Sequence, residues 1–322
     1  MVKRAVITGA SGFIGANLAR RLIREGYETH LLLRANHKTW RIQEILKQVH
    51  PHTVNLVDRE KIGKVFKKIR PHSIFHLAAH GAYSWQDKFE PILQTNVLAT
   101  YHLLDAALKT GFESFIQVGS SSEYGFTDHP PSEKERIDPN SYYALTKSCA
   151  TMLARYVALS QKANVVILRP YNVYGPYEEP ARFIPTLIVK GLEGKLPALV
   201  SPFVARDYLY VDDFVDACLL AARQAKNHIG EIYNVGTGVQ TTIQDAVQLA
   251  KKILPIKSAP RWGSMPNRIW DTRVWVSNSQ KIRKQLGWKP RYSFKAGFEA
   301  MAGWLKASPP TLRFYKKSIC SS

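Results

Sequence analysis

Short apolar runs alternate with stretches of helical period through the first half of this chain. The runs near 3–8, 28–33, 53–57, 73–77, 114–119 and 164–169 have the length and composition of buried strands. Between them, residues near 13–24, 40–48, 59–69, 91–109 and 141–162 place apolar side chains three and four apart, which predicts helices. Strands alternating with helices imply a parallel sheet covered on both faces. The predicted fold class is α/β, a Rossmann-like doubly wound sheet followed by a smaller C-terminal α/β lobe. The texture changes at Pro170, beyond which prolines at 176, 180, 185, 197 and 202 shorten the elements. That places a boundary between residues 1–170 and a lobe, 171–322, that is interleaved with them.

The first turn carries chemistry. GASGFIG, residues 9–15, follows the strand-like RAVIT and opens the first helical stretch. A strand, a glycine turn and a helix let backbone N–H groups approach a pyrophosphate, with the helix dipole favouring the anion. The spacing therefore predicts a dinucleotide site and makes residues 1–170 an NAD(P)-binding domain. The second strand, THLLLR, ends on Arg34 rather than on an acid. An acid there suits a free ribose 2′-hydroxyl and an arginine a 2′-phosphate, so NADP(H) is expected over NAD(H). Asp58, at the end of NLVD, stands where a carboxylate could meet the adenine or cap the following helix.

Charge and cysteines narrow the classes. The chain has 322 residues, with 45 Lys and Arg against 25 Asp and Glu, a net charge of +20. The basic residues are spread from Lys3 to Lys317 rather than gathered in an arm, so they predict a basic surface and no nucleic-acid partner. No apolar run reaches the roughly 18 residues of a membrane span. The three scattered cysteines suggest no disulfide framework and a cytoplasmic setting. His72, His76 and His80 lie four apart, but on a strand running into a loop, with no carboxylate or cysteine set beside them, so no metal site is expected.

Two later stretches complete the chemistry. VGSSSEYG, 118–125, leaves an apolar strand for a hydroxyl-rich loop at the end of the sheet where open α/β folds bind ligands. YYALTK, 142–147, puts Tyr143 and Lys147 on one helical face. A lysine beside a phenol lowers its pKa, which would make Tyr143 an acid/base near neutral pH. Tyr142 is off that face.

At these residues the chain resembles the extended short-chain dehydrogenases/reductases that act on nucleotide sugars, the epimerase/dehydratase group. The resemblance runs through TGASGFIG, HLAA (76–79), TNV (95–97), GSSSEYG, Tyr143 and Lys147. It continues through LRPYNVYGP (168–176), RDYLYVDD (206–213), YNVGTG (233–238) and LGWKP (286–290). It implies cofactor contacts from Gly9, Ser11, Gly12, Phe13, Ile14 and Gly15. Arg34, Asp58, Leu77, Ala78, Ala79 and Tyr171 would add to these. Tyr143 would exchange a proton with a sugar hydroxyl, Lys147 would hold the nicotinamide ribose, and Ser121 would bond the same sugar oxygen. Glu123 would remove the C5 proton in a dehydratase. Ser122, Asn172, Arg206 and Arg268 are expected at the substrate, with Asp271 positioning the Arg268 segment. Tyr83 and Trp85, in a stretch that departs from the common family pattern, would shape the sugar pocket or serve as core aromatics.

The implied activity is hydride transfer at C4 of a nucleoside diphosphate hexose. A 4,6-dehydratase is the first expectation and an NADPH-dependent 4-ketoreductase the second, followed by a 4-epimerase and a uronic acid decarboxylase. A cofactor-sensing or nucleic-acid-binding protein would be expected to lack Tyr143 or Lys147. A homodimer is expected through the helices near 91–109 and 141–162, with Leu103, Leu104, Met152 and Leu153 as candidate contacts.

Overall fold

The computed structural model describes residues 2–267 and 272–320. Six strands come in sequence order: β1 (Arg4–Thr8), β2 (Glu28–Leu33), β3 (His50–Thr53), β4 (Ser73–His76), β5 (Ser114–Val118) and β6 (Val165–Pro170). After β7 (Asn172–Tyr174), β8 (Ala205–Arg206) and β9 (Tyr208–Tyr210), the chain returns to this sheet as β10 (Ile232–Val235). All its pairings are parallel, in the order β10-β6-β5-β4-β1-β2-β3. That is the doubly wound order, whose direction reverses between β1 and β4, and the ligand crevice of such sheets opens there.

Both faces are covered. On one side α1 (Phe13–Arg24) and α7 (Val211–Gln224) pack on β1, β2 and β5 around Leu18, Leu22, Ile116 and Phe214. On the other lie α2 (Arg59–Ile69), α4 (Ala99–Thr110) and α5 (Tyr142–Gln161), around Phe66, Leu103, Leu104 and Phe115. A third core fills the smaller lobe, where α6 (Phe183–Leu192), α8 (Ile243–Ile253) and α10 (Phe294–Ala307) meet over Tyr174, Leu187 and Phe298. The lobes are interleaved, because α7 and β10 lie beyond Pro170 and yet complete the sheet.

Three sequence expectations shift. The third strand lies at 50–53 rather than 53–57, because HPHT is an edge strand with little buried surface and hence no apolar signature. Val54 and Leu56 are buried, but in the turn that follows. Residues 40–48 form a short 3₁₀ turn, Gln43–Gln48, not a full helix. The long helix near 91–109 is broken by a π turn at Gln94–Leu98. There Asn96 is buried and its side chain clamps His80, accepting from the His80 N–H and donating to its carbonyl, both at 2.9 Å. A π turn in a helix often marks a functional segment.

Candidate active site

The glycine loop is built from three different constraints. Gly9 has φ 72°, and a Cβ there would stand 2.7 Å from the Ala78 nitrogen. A Cβ on Gly15 would strike the Gly9 carbonyl and Ala10. Gly12 has only the Gly9 oxygen nearby, at 3.1 Å from where its Cβ would be, and it caps α1 without a side chain. The helix N-terminus is thereby left bare of side chains, as close approach of a phosphate requires.

A cavity of about 1160 Å³ opens at the carboxyl ends of the central strands. Pockets for one drug-sized ligand run to about 300–1,000 Å³, so this one has room for a dinucleotide end and a second ligand together. Gly9, Gly12, Phe13, Ile14, Gly15, Leu77 and Ala79 line it, with Tyr143, Lys147 and Tyr171. Ser11, Arg34, Asp58 and Ala78 do not. The Ala78 N–H donates to Thr8 Oγ1 at 3.2 Å, and Asp58 caps α2 by accepting from the Lys61 N–H at 2.9 Å. Of the expected substrate residues, Tyr83, Ser122, Asn172 and Arg206 line the cavity, while Arg268 and Asp271 lie outside the described residues. Tyr83 stacks on Trp85 at 4.6 Å, and Trp85 is an exposed residue, not a core aromatic.

Tyr143 and Lys147 sit in the first turns of α5, whose start is fixed by Ser141 accepting from the Ala144 N–H at 3.1 Å. Lys147 is buried, and its Nζ donates to the Val118 carbonyl at the end of β5. Burial lowers its pKa to about 8, with Glu123 opposing, so it is mainly an ammonium at neutral pH. Tyr143 shifts upward, because burial outweighs a hydrogen bond from Ser120. The expected lowering by Lys147 is therefore not a property of the chain alone: the ammonium is turned to Val118. Tyr142 is exposed, with its ring 4.7 Å from that of Phe89.

The serine loop adds a residue to the expected set. It is Ser120 whose side chain acts on the Tyr143 phenol and opposes the effect of burial, while Ser121, expected at the sugar oxygen, lines the cavity. Residues 121–124 form a 3₁₀ turn, in which one step along the chain rotates a side chain by about 120°. Ser121 and Ser122 also line the cavity, one step and two steps round. Ser120→Ala is expected to lower kcat by about tenfold, the worth of one hydrogen bond to the reacting phenol, and Ser121→Ala by much less. Steady-state kinetics on both variants checks this, and equal effects would reject the assignment.

Glu123 does not line the cavity. Its side chain is fully buried, and the loop is a capping box: Ser120 Oγ accepts a backbone N–H while Glu123 Oε1 accepts from the Ser120 N–H at 2.8 Å. Thr151 donates to the same oxygen at 2.9 Å, and Arg169 Nε to Oε2 at 2.8 Å. Burial pushes the Glu123 pKa up and Arg169 opposes it first. With three donors on two oxygens, the ionised pair is the form this pocket holds. The S-x-x-E spacing of Ser120 and Glu123 is itself a capping signature, and it was the signal in the sequence for both residues.

Comparison with known proteins gives the family. A family profile described as the NAD dependent epimerase/dehydratase family matches residues 5–236. The chain belongs to this family. It is thus an extended short-chain dehydrogenase/reductase, and the glycine loop, bare of side chains at the helix N-terminus, suits the pyrophosphate of the family's NAD. A dTDP-glucose 4,6-dehydratase of Streptomyces griseus is 29% identical over 316 residues, covering 94% of each chain. A trifunctional UDP-glucose 4,6-dehydratase/3,5-epimerase/reductase of Arabidopsis thaliana is 28% identical over 326 residues, covering 95% of this chain. That match takes in 47% of the plant protein, so the chain spans about half its length. The structure of a UDP-glucose 4-epimerase of Thermotoga maritima with UDP-glucose superposes with a TM-score of 0.85 at 26% identity, covering 94% of this chain and 99% of that one. A UDP-glucuronic acid 4-epimerase of Bacillus cereus, bound to UDP-glucuronic acid and NAD, gives 0.83 at 26% identity with the same coverage. Among the described residues no helix is long and apolar enough to cross a membrane.

Proposed function

We propose that this enzyme passes a hydride between C4 of a nucleoside diphosphate hexose and a bound nicotinamide. The observation that carries the reading is the Tyr143 phenol, bonded by Ser120 and one turn from the buried Lys147 ammonium, in a cavity with room for two ligands. The cofactor, when bound, supplies hydride acceptance and donation. Tyr143 takes or returns the hydroxyl proton, Ser120 orients the sugar oxygen, and Lys147 fixes the ribose side of the site. Further out, Asn172 and Arg206 give the diphosphate a polar wall. Ile184, Leu199 and Met265 give a nucleobase an apolar one.

Return of the hydride to C4, by epimerisation or by reduction of a 4-keto sugar, needs no group beyond these. Dehydration, the activity named for the relatives from Streptomyces griseus and Arabidopsis thaliana, also needs a base at C5. Since Glu123 is spent on the frame, that base would be a different carboxylate of the cavity. Purified protein incubated with UDP- and dTDP-hexoses and their 4-keto derivatives, with and without NADPH, separates the outcomes. Loss of water marks dehydration, gain of two hydrogens reduction, and conversion at constant mass epimerisation. No conversion of any sugar would overturn the reading.

Arg34 is exposed at the end of β2, with no acid beside it in the sequence, which supports acceptance of a 2′-phosphate. Arg34→Ala is expected to weaken NADP(H) binding by about tenfold and leave NAD(H) unchanged. Calorimetry on cofactor-stripped protein checks it; equal losses for both would mean that Arg34 does not read the 2′-phosphate, and no loss for either would make it a bystander.

The proposed homodimer would pair the same two helices through partly different residues. Leu103 and Leu104 are core, and Leu153 packs against the same core. The exposed apolar face of α4 and α5 is Tyr101, Leu108, Leu145, Met152, Tyr156 and Leu159. Two copies pairing these helices would bury it as a four-helix contact. Light scattering is expected to give twice the 36.4 kDa chain mass, and a monomer for Met152→Glu with Tyr156→Glu. A monomeric parent would reject the pairing.

A further inference from the structure

Glu178 is a buried carboxyl that the hydride chemistry does not use. The preceding turn holds Tyr177 at φ 70°, a left-handed conformation that aromatic residues rarely adopt. Its own backbone is pinned on both sides. The N–H donates to the Gly175 carbonyl at 3.1 Å, and the carbonyl accepts from the Tyr315 hydroxyl at 2.7 Å. The side chain therefore has little freedom of direction, and it forms part of the cavity wall. Only 8% of the residue is exposed; Oε2 is buried without a hydrogen-bond partner, and Oε1, which makes no hydrogen bond either, is the oxygen that reaches the surface.

The charges around it are engaged elsewhere. Arg41 donates to the Tyr177 carbonyl at 2.7 Å and to Glu179 at 2.9 Å. Arg182 donates to the Ala82 carbonyl at 3.0 Å and lies 5.0 Å over the Tyr83 ring. The phenols of Tyr83, Tyr174 and Tyr315 complete the surroundings. Burial pushes the carboxyl up to about 8, against Arg182, the Gly175 N–H and Arg41. At neutral pH it is thus a neutral acid, able both to donate and to accept.

A buried polar atom without a partner costs about 1–3 kcal/mol, and such atoms call for an explanation. Here the position supplies one. Glu178, Arg182, Tyr83 and Tyr143 all line the one cavity, Arg182 stands 5.0 Å over the Tyr83 ring, and its charge is felt by both the Glu178 carboxyl and the Tyr143 phenol. Glu178 accordingly stands on the wall that shares the reactive end of the cavity with Tyr143, where the proposed function seats the hexose.

We propose that Glu178 is a sugar-recognition residue whose carboxyl, through Oε1, hydrogen-bonds a hydroxyl of the hexose ring. The inference rests on the nucleotide-sugar reading and names the side chain that senses the sugar rather than the nucleotide. A site built to bond a hydroxyl rejects ligands that lack it, because its own polar group is then left unpaired.

The test uses the Tyr143→Phe protein, in which turnover is blocked, with UDP-glucose, dTDP-glucose, UDP and dTDP as probes. In that parent the hexose should add affinity over the bare diphosphate. Glu178→Leu should cost about tenfold of that gain and leave the diphosphates alone, while Glu178→Gln should retain most of it. An unchanged gain in the leucine variant would overturn the proposal, as would an equal loss for the bare diphosphates. Infrared difference spectra of the parent give a second readout that needs no leucine variant. The Glu178 carboxyl band, identified by its loss in Glu178→Gln, should shift with UDP-glucose or dTDP-glucose and not with UDP or dTDP. No shift with either sugar would overturn it too. A parent that binds hexose diphosphates no better than bare ones would instead refute the nucleotide-sugar reading on which the proposal rests.

Discussion

Tyr143→Phe is expected to lower turnover by about 10²–10⁴-fold, the usual contribution of a positioned general acid or base. The phenol is the one group at this site that Ser120 and the start of α5 hold in place for proton exchange. Phenylalanine keeps its ring and its packing. Cofactor affinity and the thermal unfolding midpoint should therefore stay close to those of the parent, while kcat collapses. The measurement is turnover on whichever nucleotide sugar is converted, beside calorimetry with NAD and NADP. Near-normal turnover with the phenol gone would sink the assignment of the site.

Glu123→Ala is expected to act on stability instead. It removes the cap of the serine turn and leaves the Arg169 guanidinium buried without its carboxylate. Breaking one side of a buried ion pair costs about 3–5 kcal/mol. Since domains of this kind are stable by only about 5–15 kcal/mol, the variant should lose much of its margin, seen as a lower denaturant midpoint. Glu123→Gln keeps the shape and one acceptor, so it should lose less stability and retain C4 oxidation. A dehydrating enzyme that kept its stability in Glu123→Gln but lost only the elimination step, with reduced cofactor accumulating, would return Glu123 to the role of C5 base.

The sequence was legible where apolar pattern and burial coincide. The runs RAVIT, SFIQV and VVILRP are central strands buried along nearly their whole length, and each lies within a residue of its expected place. HPHT failed because an edge strand carries no apolar signature, and the buried Val54 and Leu56 drew the expectation past it. That Tyr143 and Lys147 are neighbours was legible because i,i+4 spacing on a helix fixes relative position. The serine turn was not, since within a 3₁₀ turn the backbone register decides which hydroxyl meets the phenol. Glu123 was misread because residue type suggested chemistry, whereas its spacing from Ser120 already spelled a cap. Glu178 left no signal at all: its backbone carbonyl is held by the Tyr315 hydroxyl, 137 positions along the chain.

The serine turn divides its duties by direction. Glu123 and Tyr124 face inward, where Arg169 and Asn234 tie the loop to β6 and β10. Gly119 leaves the space, because a Cβ there would lie 2.5 Å from Glu123 Oε1. The Ser121 and Ser122 side chains line the cavity and take no part in those ties, although the Ser122 N–H donates to Ser120 Oγ. A side chain exchanged at either position would change what the cavity presents while leaving the hydrogen bonds of Glu123 and Tyr124 in place. On such a turn, what a ligand meets and what holds the loop are set by different residues.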